Sequence, residues 1–145
     1  MIVVLCYDPA KYGGGGFLQW RSSQDAEVRS AVDGALYALS QETKFPERQR
    51  YFKRLRGHCD GLDEVRIATM SGRLIRILGF KGPRRGEFTA LSGFEKPKGK
   101  GFDYTPFCSS AKGRQNGIIR DNKRAKLYPF LANSTAESFA GGKGV

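Results

Sequence analysis

The sequence predicts an α+β domain: an N-terminal strand and two helices packed on a mostly antiparallel sheet, then a short C-terminal helix. Three observations carry this. The chain opens on an apolar, β-branched run, Met1–Tyr7 (MIVVLCY). Apolar residues then recur at helical spacing through Gln24–Ser40. From Leu62 onward the period drops to two, and three such segments follow one another through short glycine-bearing connections. Helices on one face of an antiparallel sheet are the layering that this order favours.

Met1–Tyr7 reads as a buried strand that Asp8-Pro9 ends, and Gly13–Gly16 as a flexible connector. No Lys-Ser/Thr follows those glycines, so they lack the pattern of a phosphate loop. In Gln24–Ser40, Val28, Ala31, Val32, Ala35, Leu36 and Leu39 form one stripe, with Ser23 as the expected N-cap. A second helix is predicted from Pro46, with Tyr51, Phe52 and Leu55 on one side and Gly57 at its end. Val65 and Ile67 then alternate with Glu64 and Arg66. Ser71-Gly72 turns into a strand over Arg73–Phe80, and Lys81–Gly86 turns into a third over Glu87–Phe94. Lys96–Gly101 (KPKGKG) is a basic loop. Thr105 as N-cap and Pro106 at the first helical position start a short helix through Ala111. The reading is one domain over residues 1–131 and a disordered tail over 132–145.

The charge is uneven. Of the net +11, residues 1–45 contribute four Lys/Arg against five Asp/Glu, whereas residues 46–145 contribute 21 against nine. Such a balance is the electrostatic footprint of a polyanion partner. No window resembles a signal peptide or approaches the ~18 apolar residues of a membrane span, so the expectation is a soluble, cytoplasmic protein with no membrane partner. Cys6, Cys59 and Cys108 are too few and too scattered for zinc beside the single His58. Reduced thiols, no metal and no cofactor are expected.

Five pieces in order carry a family resemblance: Leu55-Arg56-Gly57, Gly61-Leu62-Asp63-Glu64-Val65-Arg66-Ile67, Ser71-Gly72, Arg76-Ile77-Leu78 and Gly93-Phe94-Glu95-Lys96. Together they resemble the RelE/HigB toxin superfamily, and within it the phage-derived HigB-like branch, over about half of the chain. The resemblance implies a RelE-like fold with a cleft between the sheet and basic residues. It implies the toxin of a toxin–antitoxin system, an endoribonuclease that cuts messenger RNA on the ribosome. It also implies an antitoxin partner, expected to be a helix-turn-helix protein. The Pro-Arg-Arg in Lys81–Phe88, the long stretch after Gly101 and the Gly13–Gly16 loop depart from the family's pattern.

Metal-free RNA cleavage needs a base at the 2′-hydroxyl, cations at the phosphate and an acid for the leaving 5′-oxygen. Arg66 and Arg76 sit on neighbouring strands, opposite the apolar pairs Val65/Ile67 and Ile75/Ile77. They are the candidate phosphate clamp. The plain structural alternative is a salt bridge from Arg66 to Glu64. Lys96 is the leading candidate base, since neighbouring cations lower a lysine's pKa, and Glu64 is a second. Tyr104 and Tyr128 are candidates for acid work or base stacking, with core packing as the alternative. Arg54, Arg73, Lys98, Lys100 and Lys112 are the expected RNA-backbone contacts. The competing readings are a non-catalytic RNA- or ribosome-binding protein, or a phage accessory protein, on the same fold.

Overall fold

A computed structural model describes residues 1–9 and 15–131. The connector reading of Gly13–Gly16 falls partly outside that range, and the tail reading of 132–145 wholly outside it. The described residues form an α+β unit of three helices and a six-stranded, mostly antiparallel sheet. The strands are β1 (Val3–Tyr7), β2 (Phe52–Arg54), β3 (Asp63–Ala68), β4 (Leu74–Lys81), β5 (Glu87–Lys96) and β6 (Ala125–Leu127). The helices are α1 (Phe17–Ser22), α2 (Ala26–Ser40) and α3 (Thr105–Arg120). The sheet order is β2-β3-β4-β5-β1-β6. The β3–β4–β5 meander is antiparallel, as its alternation predicts, and β1 runs parallel to β5.

Two apolar cores sit on opposite faces of this sheet. Val4, Cys6, Phe52, Val65, Ile67, Ile75, Ile77 and Phe88 pack with the stripe of α2. Leu62, Leu78, Phe80, Leu91 and Phe94 pack with Cys108, Ala111 and Ile118 of α3. Helices therefore lie on both faces, and the one-face layering is corrected. The reason is α3. It is sixteen residues long, not a turn or two, and its buried positions need a surface of their own. Gly113 and Gly117 lie inside it without ending it.

Three local expectations also change, and one helix is new. Asp25, not Ser23, caps α2, its carboxylate accepting from Val28 N, a contact worth about 1 kcal/mol. No helix follows Pro46. The segment turns and enters β2, because Phe52 pairs with Val65 across the sheet edge. Thr105 is the first helical residue, not the cap, and Asp103 Oδ1 accepts from its N–H. Helix α1 has no stripe long enough to announce it. It is seated where Trp20 lies on Gly93 of β5, so closely that a Cβ there would come within 2.5 Å of the indole.

The cysteines are not all reduced. Cys59, in a 3-10 turn before β3, is disulfide-bonded to Cys108 of α3 across 49 residues of sequence. Spacing alone hides the pair, which the second core brings together. Cys6 remains a free thiol in the first core, and burial pushes its pKa up to about 12, so it is unreactive. No helix of the described residues is long and apolar enough to cross a membrane.

Candidate functional site

The two sheet faces treat their charges differently. On the α3 face, the register builds three rows of side chains. Lys53, Glu64, Leu78 and Ser92 form the first row, Arg66, Arg76 and Phe94 the second, and Ala68, Leu74 and Lys96 the third. Arg66 and Arg76 are therefore direct cross-strand neighbours on the face opposite Val65, Ile67, Ile75 and Ile77, as the alternation requires. Helix α3 covers the Leu62, Leu78 and Leu91 region. Beyond it, Arg50, Arg66, Ile67, Ala68, Leu74 and Arg76 line an open pocket of about 180 Å³. Among the described residues no three His, Cys, Asp or Glu side chains gather in a group able to hold a metal ion.

Arg76 is 8% exposed, and one of its terminal nitrogens donates to the carbonyl of Ile75 at 3.1 Å. Its Nε has no hydrogen-bond partner. Glu64 is 1% exposed; its Oε1 accepts from Arg66 Nε at 2.8 Å, while its Oε2 is without a partner. The salt-bridge alternative is thus present, but it engages only one edge of Arg66, whose side chain stays 36% exposed. A buried cation edge and a buried carboxylate oxygen are costly to leave unbonded, and the Tyr104 hydroxyl interacts with both of these side chains.

Tyr104 enters from the residue before α3 and lies beside Glu64 and Arg76. Burial, then the Glu64 carboxylate, push its phenol above the ordinary tyrosine value, with Arg76 pulling the other way. The phenol therefore keeps its proton at neutral pH. Tyr104 stands edge-on to Phe94, with ring centroids 5.3 Å apart, and Phe94 is stacked on Phe107 at 4.2 Å. That cluster, Asp103 at the helix start and the Cys59–Cys108 bond fix the first turns of α3 against the sheet.

The remaining cations divide. Lys96 lies in the third row, one step from Arg76, but its Nζ donates to the carbonyls of Pro97 and Gly99 at 3.3 and 3.1 Å. Its first task is to close its own loop. Lys98 reaches over the Ser71-Gly72 turn, and Lys100 is exposed farther along the loop. Lys112 is half-buried on α3.

Arg73 and Arg54 fall outside the cluster. Arg73 is paired with Asp25 at 2.6 Å, Glu95 at 2.8 Å and Glu27 at 3.4 Å, which ties the β3–β4 turn to the start of α2. Arg54 shares the α2 side of β2 with Phe52 and stands across from Asp63. Tyr128 is 2% exposed in the first core, and its hydroxyl donates to Asp33. Packing accounts for it, and it is removed from the candidate site. Arg50, by contrast, lines the pocket although nothing in the sequence singles it out. In sequence it is one of several cations between Arg48 and Arg56, on the sides of the expected helix away from Tyr51, Phe52 and Leu55. The chain matches no protein-family model, no curated protein and no solved structure.

Proposed function

We propose that the α3-side cleft binds RNA and cuts it without a metal ion, as the toxin of a toxin–antitoxin pair of the RelE/HigB kind. The observation that carries the reading is the Arg66–Arg76 pair. Two guanidiniums stand in direct register at the mouth of an open pocket, one of them buried with its Nε unused. An arginine fork is matched to two phosphate oxygens and stays charged, and the scissile phosphate supplies the missing acceptors.

In this reading Arg66 and Arg76 hold the phosphate and stabilise the charge that builds on it. The phenol of Tyr104, protonated at neutral pH, donates to the leaving 5′-oxygen. Glu64 orients Arg66 through Oε1, and its free Oε2 accepts the proton of the attacking 2′-hydroxyl. The products are a 2′,3′-cyclic phosphate and a 5′-hydroxyl. Messenger RNA on the ribosome is the substrate, and a helix-turn-helix antitoxin the inhibitor, that the sequence resemblance attaches to this chemistry. The cytoplasm is where both would meet the protein.

A second reading rests on one observation: Glu64 is almost fully covered and the Lys96 ammonium is engaged in its own loop, so neither candidate base lies open. The cleft would then bind RNA without cutting it. Induced expression decides between them. The catalytic reading predicts growth arrest and new RNA ends bearing 2′,3′-cyclic phosphates, both abolished by Arg76→Ala. Unchanged growth and unchanged RNA ends, with RNA still bound by the purified protein, contradict it and leave the binding module.

A further inference from the structure

The pocket is larger than a phosphate clamp requires, and its composition changes across it. Arg76 and Arg66 stand on one side. Ala68 and Leu74, half-buried cross-strand partners, form an apolar floor in the next row. Arg50, exposed in the turn before β2, is the third arginine of the lining. The turn is held in place where Arg66 N donates to Tyr51 O at 2.7 Å. A phosphate needs no apolar floor, and a methyl and an isobutyl group beside three guanidiniums suit a flat, partly apolar ring. At about 180 Å³ the space is below that of a drug-sized site and takes a single small group.

We infer that this pocket is a nucleobase subsite. An unpaired base of single-stranded RNA lies on Ala68 and Leu74, with the Arg50 and Arg66 guanidiniums against its faces and its phosphate at Arg76. Guanidinium planes and apolar side chains are surfaces on which splayed bases stack. A base reaches this floor and these guanidiniums with its face only when it is splayed from a stack, so the subsite favours single strands. The inference rests on the RNA reading above and deepens it. It makes Ala68, Leu74 and Arg50 binding residues for the base, distinct from the pair that holds the phosphate.

Binding of three probes to the purified full-length chain tests it: a short single-stranded oligoadenylate, the same backbone carrying abasic sites, and polyglutamate as a competitor. Ala68→Leu fills the floor without touching a charge. It is expected to weaken oligoadenylate binding about tenfold or more while leaving abasic binding unchanged. Arg50→Lys keeps the charge and loses the plane, so it is expected to weaken oligoadenylate binding while leaving abasic binding unchanged. Arg50 is exposed in a turn, so its variants report on binding even if Ala68→Leu folds poorly.

The subsite is overturned, with the RNA reading intact, if wild type binds oligoadenylate and abasic backbone equally, or if Arg50→Lys matches wild type. It is also overturned, in favour of a site for acidic protein, if polyglutamate displaces oligoadenylate as well as RNA itself does. If wild type binds neither nucleic-acid probe, the RNA reading and the subsite fall together.

Discussion

The α2 face and the α3 face of this sheet are built from the same strands, yet their charges are arranged in opposite ways. On the α2 face three cations are matched to carboxylates. Arg21 is paired with Asp33 at 2.6 Å, Arg73 with three carboxylates, and Lys81 with Glu47. On the α3 face Arg50, Arg66 and Arg76 line one open pocket, and of these only Arg66 has an ion pair, to the buried Glu64. Matched charges explain themselves as architecture. Unmatched ones, one of them buried, point to an anion from outside the chain. The comparison separates Arg73 from Arg76, two arginines that look alike three positions apart in sequence.

Breaking the comparison from the architectural side gives the largest effect. Asp33 and Arg21 are nearly covered, so Asp33→Ala leaves a buried guanidinium and the Tyr128 hydroxyl without their acceptor. A loss of about 3–5 kcal/mol is expected in denaturant unfolding. RNA binding measured below the transition should be unchanged. Next comes the staple. The α2 face is held by an apolar core, whereas α3 is also tied by Cys59–Cys108. Replacing both cysteines with serine should cost about 2–4 kcal/mol. It should lower activity as well, because Tyr104 stands four residues before Cys108 on the freed segment. Full activity in the double variant would show that α3 keeps its place through Phe94 and Phe107 alone.

The smallest effect is a pH dependence at the start of α2. Arg73 and Ser71 hold the Asp25 and Glu27 carboxyls below their ordinary values of 3.8 and 4.5. Carboxyls lowered by folding stabilise above those values, and their contribution fades as acid protonates them in the folded state. Unfolding followed between pH about 5 and 3 should show a modest acid loss that Arg73→Ala reduces, chiefly through Asp25. An acid loss of the same size in that variant would place its origin elsewhere.

The α3 face is partly legible in sequence because a period of two assigns each strand residue to a face. Val65, Ile67, Ile75 and Ile77 mark the α2 side, and Glu64, Arg66 and Arg76 follow onto the other. Tyr104 is legible only as a tyrosine near a helix start. What stays hidden depends on pairing between distant segments. Arg73 carries the same charge as Arg76, and only the fold brings Asp25, Glu27 and Glu95 to it. The segment after Pro46 has helical spacing, but pairing with β3 outweighs local preference and makes it an edge strand. Cys59 and Cys108 lie too far apart for spacing to couple them. Arg50 looks like part of a solvated face only if a helix forms there, and that helix does not form.

The central claim is that Arg66 and Arg76 of the α3 face meet an RNA backbone and the multiply paired Arg73 of the α2 face does not. The salt dependence of single-stranded RNA binding, measured for wild type, Arg66→Ala/Arg76→Ala and Arg73→Ala, tests it most directly. Each phosphate that the protein no longer neutralises lowers the slope of log K against log salt by about 0.7 for a single strand. The account predicts a slope reduced by roughly 0.7 in the double variant, for the one phosphate that the pair holds, and an unchanged slope in Arg73→Ala. Equal slopes in all three proteins, or a reduction confined to Arg73→Ala, would contradict it.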